Sequence, residues 1–181
     1  MLIKVDLDNS FLNRSVAWVT GHPGCYYEGR DATEAILRVP QTLVAYQQWI
    51  GKHTQQSWLE DLGDFDVRLV QVLDTSNDGS ANWFESDAPP LNGLEISRGL
   101  QVLAWSRSDL LDLVNSLSPS ELEKVFEGEP RSIHDILVHM LEVELNVLVI
   151  PGLEEIGEVN PSGDVMDRLE EARRKLSRAL P

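Results

Sequence analysis

This chain has little of several things that usually announce a function. It holds one cysteine, four histidines and 15 basic residues against 30 acidic ones, for a net charge of −15 over 181 residues. A single cysteine, Cys25, excludes an intrachain disulfide and any cysteine-based metal cluster. Its ordinary role is a small apolar filler, and a reactive thiol would need a depressed pKa, for which only His22 stands close in sequence. Acids outnumber bases in both halves of the chain. There is no basic footprint for nucleic acid or for an anionic membrane, so neither is expected as a partner. The one basic cluster, Arg173, Arg174, Lys175 and Arg178, falls near the end of a predicted helix, where positive charge suits the helix dipole. No apolar run approaches the roughly 18 residues of a membrane span. The opening MLIKVDLDNS lacks the apolar core of a signal peptide, so a cytoplasmic protein is expected. Phosphate-cradling glycine loops are missing, and no nucleophile arrangement is visible beyond the pair Cys25 and His22, three apart in a turn. No catalytic residue is assigned.

What is present changes character near residue 75. LIKVDLD (2–8) and DVRLVQVL (66–73) alternate apolar and polar residues as half-buried strands do. RSVAWVT (14–20) and CYYEG (25–29) read as extended segments joined by the turn HPG (22–24). Residues 31–50 carry a helical stripe, Ala35, Ile36, Val39, Leu43, Tyr46 and Ile50. Asp31 or Thr33 caps it, and Pro40 is expected to kink or divide it. A small antiparallel sheet with one main helix is the economical packing for 1–75. Residues 76–95 are rich in Asp, Asn, Ser, Gly and Pro and read as a linker, partly anchored by Trp83 and Phe84 as a short edge strand.

From 96 onward the pattern is helical. A stripe covers 96–117. SPSE (118–121) is a capping box that starts a short helix ending by Gly128. Ser132, with Asp135 three residues on, starts a helix that runs to about Ile150. A loop then leads to a third long helix at 164–180, striped by Val165, Leu169, Ala172, Leu176 and Leu180. The fold class expected is α+β, with a small N-terminal α/β domain and an all-α C-terminal domain of three long helices.

Two resemblances sharpen that expectation. Pro23-Gly24-Cys25, Gly29 and the helix start Thr33-Glu34-Ala35 resemble the HicB-like antitoxin domain over about residues 1–75. That family implies a small sheet with one helix, usually followed by a DNA-binding module, which this chain lacks. AWSRSDLL (104–111), Ser132-Ile133, Ile136-Leu137, His139 and Glu144 resemble the first helices of DinB-like bundles of the metal-dependent hydrolase type, over about residues 96–181; Arg131 stands where that family usually has Trp. Those bundles have four long helices. They hold metal by one histidine on the second helix and a His-x-x-x-His pair on the fourth. His139 matches the first ligand, and no histidine follows it.

The segment HDILVHMLEVE (134–144) concentrates the candidate chemistry. On a helix of about 100° per residue, Asp135, His139, Glu142 and Asn146 share one narrow seam. The seam is either the solvent edge of a packing helix or half of a metal site, with His139 and Glu142 as ligands one turn apart for a divalent ion such as Zn, Ni or Mn. Its completion would need a partner subunit, His134, His22 or His53. His134 lies about 140° around the helix from His139, poorly placed to share one ion. Glu144 sits in the middle of the apolar face, where a carboxylate must be hydrogen-bonded or paired. It either pairs with an arginine, Arg107 being the candidate, or with Trp105 or Ser106, or it occupies a small pocket with a raised pKa.

Three functions follow in order. The first is a non-enzymatic binding or regulatory module, a homodimer if a second chain covers the flank left by a missing fourth helix near Leu100, Leu103, Leu111 and Val114. The second is a DinB-like divalent-metal enzyme, a thiol transferase or hydrolase using His139 and a metal-polarised water. The third is an antitoxin-like partner of a small basic toxin.

Overall fold

The computed structural model describes residues 1–56, 58, 62–74, 83–148 and 163–179. In chain order these form β1 (Leu2–Asp8), β2 (Ser15–Val19), β3 (Tyr26–Gly29), α1 (Ala32–His53), β4 (Asp66–Leu73), a 3-10 turn (Glu85–Asp87), α2 (Gly93–Asn115), α3 (Pro119–Leu122), α4 (Ile133–Leu148) and α5 (Val165–Ala179). Most of the expected linker before Trp83, the helix end at Ile150, most of the loop before Asp164, and Leu180 lie outside the described residues. The class is α+β, as the strand and helix periodicities imply.

The chain divides into two compact units, Met1–Trp105 and Ser106–Pro181. The division falls inside α2, not in the 76–95 stretch, because Val102 and Trp105 pack against the first core. The helix also begins earlier than the apolar stripe suggests. Asn92 Oδ1 accepts from the backbone N–H groups of Leu94 and Glu95, and Glu95 reaches back to the Asn92 N–H, which closes a cap at residue 92.

In the first unit the strand order is β3-β2-β1-β4. β2 runs antiparallel to both β1 and β3, but β4 runs parallel to β1. The sheet is therefore mixed, a correction to the antiparallel expectation. β3 already points the same way as β1. α1 crosses the sheet after β3, and a strand that follows such a crossover enters parallel to the strand before it. The β1–β4 register slips between Val5↔Leu69 and Asp6↔Gln71, a bulge that leaves Val70 unpaired.

One face of this sheet is apolar. Ile3, Val5, Leu7, Ala17, Val19 and Cys25 meet Ala35, Val39, Leu43, Tyr46 and Ile50 of α1. Full burial of a side chain such as Leu43 contributes about 1.5–3 kcal/mol. Asp31 caps α1 by accepting from the Glu34 N–H at 2.8 Å. The helix is not divided at Pro40, because that position lies on the exposed side and the buried stripe continues past it. Gly29 is required where it stands, since a Cβ there would come within 2.5 Å of the Ala35 nitrogen at the start of α1.

On the other face of the sheet, Phe84 is buried and Trp83 is exposed. The anchor predicted at these two residues is a 3-10 turn, not an edge strand. Phe84 N–H donates to Asp87, Glu85 N–H to Gln71, and Ser86 Oγ to the buried carboxylate of Asp6. Thr20 Oγ1 donates to the same Asp6 oxygen.

The second unit is helical. α4 packs on α5, and α3 touches α4. Its core is Val114, Leu137, Leu141, Leu169, Ala172 and Leu176. Ser118 and Glu121 close the expected capping box, and Ser132 and Asp135 close another at the start of α4. Both acids are held below the usual carboxylate range, chiefly by hydrogen bonds from those serines. Val114 lies in this core, whereas Leu111 is half-buried.

Candidate functional site

Two places carry the groups of interest, one in each unit. In the second unit, Glu144 is 7% exposed on α4 and accepts hydrogen bonds from two guanidinium groups at one oxygen. The donors are Arg107 Nη2 from α2 and Arg173 Nη2 from α5. Arg107 is the partner anticipated from the helical wheel. Arg173 belongs to the basic run whose charge suits the dipole of α5, yet its guanidinium meets Glu144. The signal that marks it is its spacing: Arg173 lies one turn after Leu169, on the flank of the α5 apolar stripe. Burial lowers the Arg107 pKa, and the pull of Glu144 offsets this only in part. Glu144 and its two arginines are a buried ion cluster, with no nucleophile among them.

The seam of α4 faces water. His139 and Glu142 side chains are 56% and 65% exposed, with Nδ1 and Oε2 3.8 Å apart. Among the described residues no group of three or more His, Cys, Asp or Glu side chains could hold a metal ion. His134 Nδ1 lies 3.7 Å from Glu123 Oε1 instead, on another side of the helix. The donor set is thus two exposed side chains, and a Zn, Ni or Mn ion with only these ligands would be held weakly. The residues described do not fit the metal centre that the DinB-like resemblance implies.

Cys25 and His22 do not form a nucleophile pair. The thiol is buried, and desolvation pushes its pKa up to about 12. His22 Nδ1 lies 3.1 Å from the Thr20 carbonyl, which can only accept, so this nitrogen carries the proton. Burial lowers the pKa of His22 and keeps its ring neutral.

The second place had no signal in the sequence. Trp105, near the middle of α2, stacks on His53 at 5.2 Å and lies 5.3 Å from Trp58 and 6.1 Å from Trp49. Arg98, two turns earlier on α2, sits over the Trp58 ring at 5.2 Å. Trp58 of this cluster also lines a cleft of about 430 Å³ at the C-terminal end of α1. Tyr46, Ile50 and Trp58 supply its apolar wall. Gln47, Thr54, Gln55 and Gln56 supply neutral hydrogen-bonding groups, and Gly51 opens the floor. Tyr46 is fixed from behind because its hydroxyl donates to the Pro23 carbonyl at 3.0 Å, across the HPG turn. Among the described residues, no lining side chain is charged. Such a surface can hold a partly apolar, uncharged group and orient it by amide and hydroxyl hydrogen bonds.

Among the described residues no helix is long and apolar enough to cross a membrane. Compared with known proteins, the chain matches no family model, no curated protein and no solved structure.

Proposed function

We propose that this protein is a non-enzymatic binding module whose ligand seat is the cleft at the end of α1. The observation that carries this reading is the lining. Apolar rings and neutral amides converge on a volume of ligand size, with no charged side chain among the described lining residues. Two of the groups that could do chemistry elsewhere are otherwise engaged. Cys25 is buried as a thiol and Glu144 is committed to two arginines, while His139 stands in solvent with Glu142 as its neighbour.

The test uses Gly51. A Cβ at this position meets nothing within 4 Å, so a larger side chain can enter the cleft without disturbing the core. Gly51→Leu also removes a helix-interior glycine, which stabilises α1 by about 0.5–1 kcal/mol. The probe is an uncharged, environment-sensitive dye such as Nile red, titrated with tryptophan fluorescence as a second readout. The expected result is saturable one-to-one binding by the native protein, and at least about tenfold weaker binding by a fully folded Gly51→Leu variant. Equal binding by both proteins would remove the cleft from the proposal.

A further inference from the structure

We infer that the Arg107–Glu144–Arg173 cluster is an oxyanion seat, built for an ion of the hydrogen phosphate type that carries both acceptor oxygens and a hydroxyl. This inference rests on the second unit alone and does not depend on the cleft. Within the cluster two guanidinium groups face one carboxylate, an excess of one positive charge shared by buried Arg107 and partly exposed Arg173, in a chain of net charge −15. Both arginines use only Nη2, and both spend it on Glu144 Oε1. Nε and Nη1 of Arg107, Nε and Nη1 of Arg173, and Oε2 of Glu144 are buried without a hydrogen-bonding partner. Each of these atoms is two covalent bonds from an atom of the shared contact, so the unmet groups all belong to the three side chains that meet there. Glu170 attracts Arg107 through space but accepts neither of its free N–H groups.

Buried donors and acceptors of this kind are costly until they are paired. The unmet demand is unequal: four guanidinium nitrogens seek acceptors and one carboxylate oxygen seeks a donor. Sulfate near neutral pH carries no proton and would set a bare oxygen against Glu144 Oε2. A carboxylate ligand meets the same repulsion. Hydrogen phosphate offers oxygens to the two arginine forks and its hydroxyl to Glu144, so the protein gains a criterion for telling it from sulfate. The route in lies beside Arg173, whose side chain is 16% exposed against 7% for Arg107. As the ion enters, each guanidinium turns from a single bond on Glu144 to a fork on the oxyanion.

The experiment is equilibrium dialysis of the full chain with radiolabelled inorganic phosphate at pH 7. Sulfate or bicarbonate serves as competitor at matched ionic strength, and thermal unfolding is followed in the same buffers. The expected result is saturable retention of one phosphate per chain, a rise in Tm with phosphate, and sulfate weaker by about tenfold or more. Arg173→Gln should weaken phosphate by about tenfold or more. Glu144→Gln puts a donor where the acceptor stood, so the preference for phosphate over sulfate should fall by about tenfold or more, whatever the change in absolute affinity. Circular dichroism establishes that each variant is folded, and if neither is, competition on the native protein decides. Absence of phosphate retention, sulfate competing as well as phosphate, or bicarbonate displacing phosphate at lower concentration would each overturn the assignment.

Discussion

Glu144→Ala is the most informative single perturbation of the fold. Glu144 is 7% exposed and is, among the described residues, the one carboxylate that hydrogen-bonds Arg107 and Arg173. Its removal takes away two charge-assisted hydrogen bonds and leaves two guanidinium groups facing each other. A hydrogen bond to a charged group contributes about 1.5–3 kcal/mol, and breaking a buried pair by removing one partner costs about 3–5 kcal/mol. Arg173 keeps 16% of its side chain in solvent and can turn outward, so the lower part of that range, about 3–4 kcal/mol, is expected. The assay is urea unfolding followed by far-UV circular dichroism. All five tryptophans lie between Met1 and Trp105, so their fluorescence reports on the other unit. A fall in midpoint at constant slope gives the change in stability. A loss below about 1 kcal/mol would refute the reasoning, since the cluster would then behave like an exposed ion pair. A second variant separates ionic demand from packing. Arg107→Met, Glu144→Leu and Arg173→Met together remove every charge in the cluster at similar volume. Burial already lowers the Arg107 pKa despite Glu144, so the charged form is not comfortable there. The triple variant should lie within about 1 kcal/mol of the native protein or above it. A triple variant less stable than Glu144→Ala would contradict the same reasoning.

Other outcomes follow from the first unit. Cys25 should resist a disulfide reagent at pH 8 in the native protein and react at the rate of unfolding, because burial raises its pKa to about 12; rapid stoichiometric labelling without denaturant would contradict this. His22 has a folded pKa below its unfolded value of about 6.5, so the unfolded chain takes up the proton first as pH falls. The contribution of neutral His22 is therefore complete above about pH 6.5 and is lost as pH drops toward the folded pKa. His22→Gln should flatten the loss of stability between about pH 7 and 5, and an unchanged pH profile would show that the ring is not held neutral by the fold.

The elements whose signals are local were legible from residues alone. Asp31, Ser118 and Ser132 begin helices because each places a side-chain oxygen within reach of an N–H three residues on, a matter of one turn of chain. The alternation of DVRLVQVL marks β4 to the residue, and the helical wheel of α4 puts Glu144 on a buried face, where a lone carboxylate demands a partner. Arg107 could be named as that partner because α2 and α4 were both visible as helices. What the tertiary structure alone decided involves residues far apart in the chain. The parallel entry of β4 depends on α1 crossing the sheet after β3, which hydrophobic period cannot encode. Arg173 joins Glu144 because α5 packs on α4, and its place in a basic run hid that inward role. Trp105 belongs to the first unit, although its helix continues into the second, because Trp49, His53 and Trp58 surround it there. The cleft beside that cluster comes from the same long-range packing. Caps and periodicity are properties of neighbouring residues, whereas a cleft exists only once separate segments have been brought together.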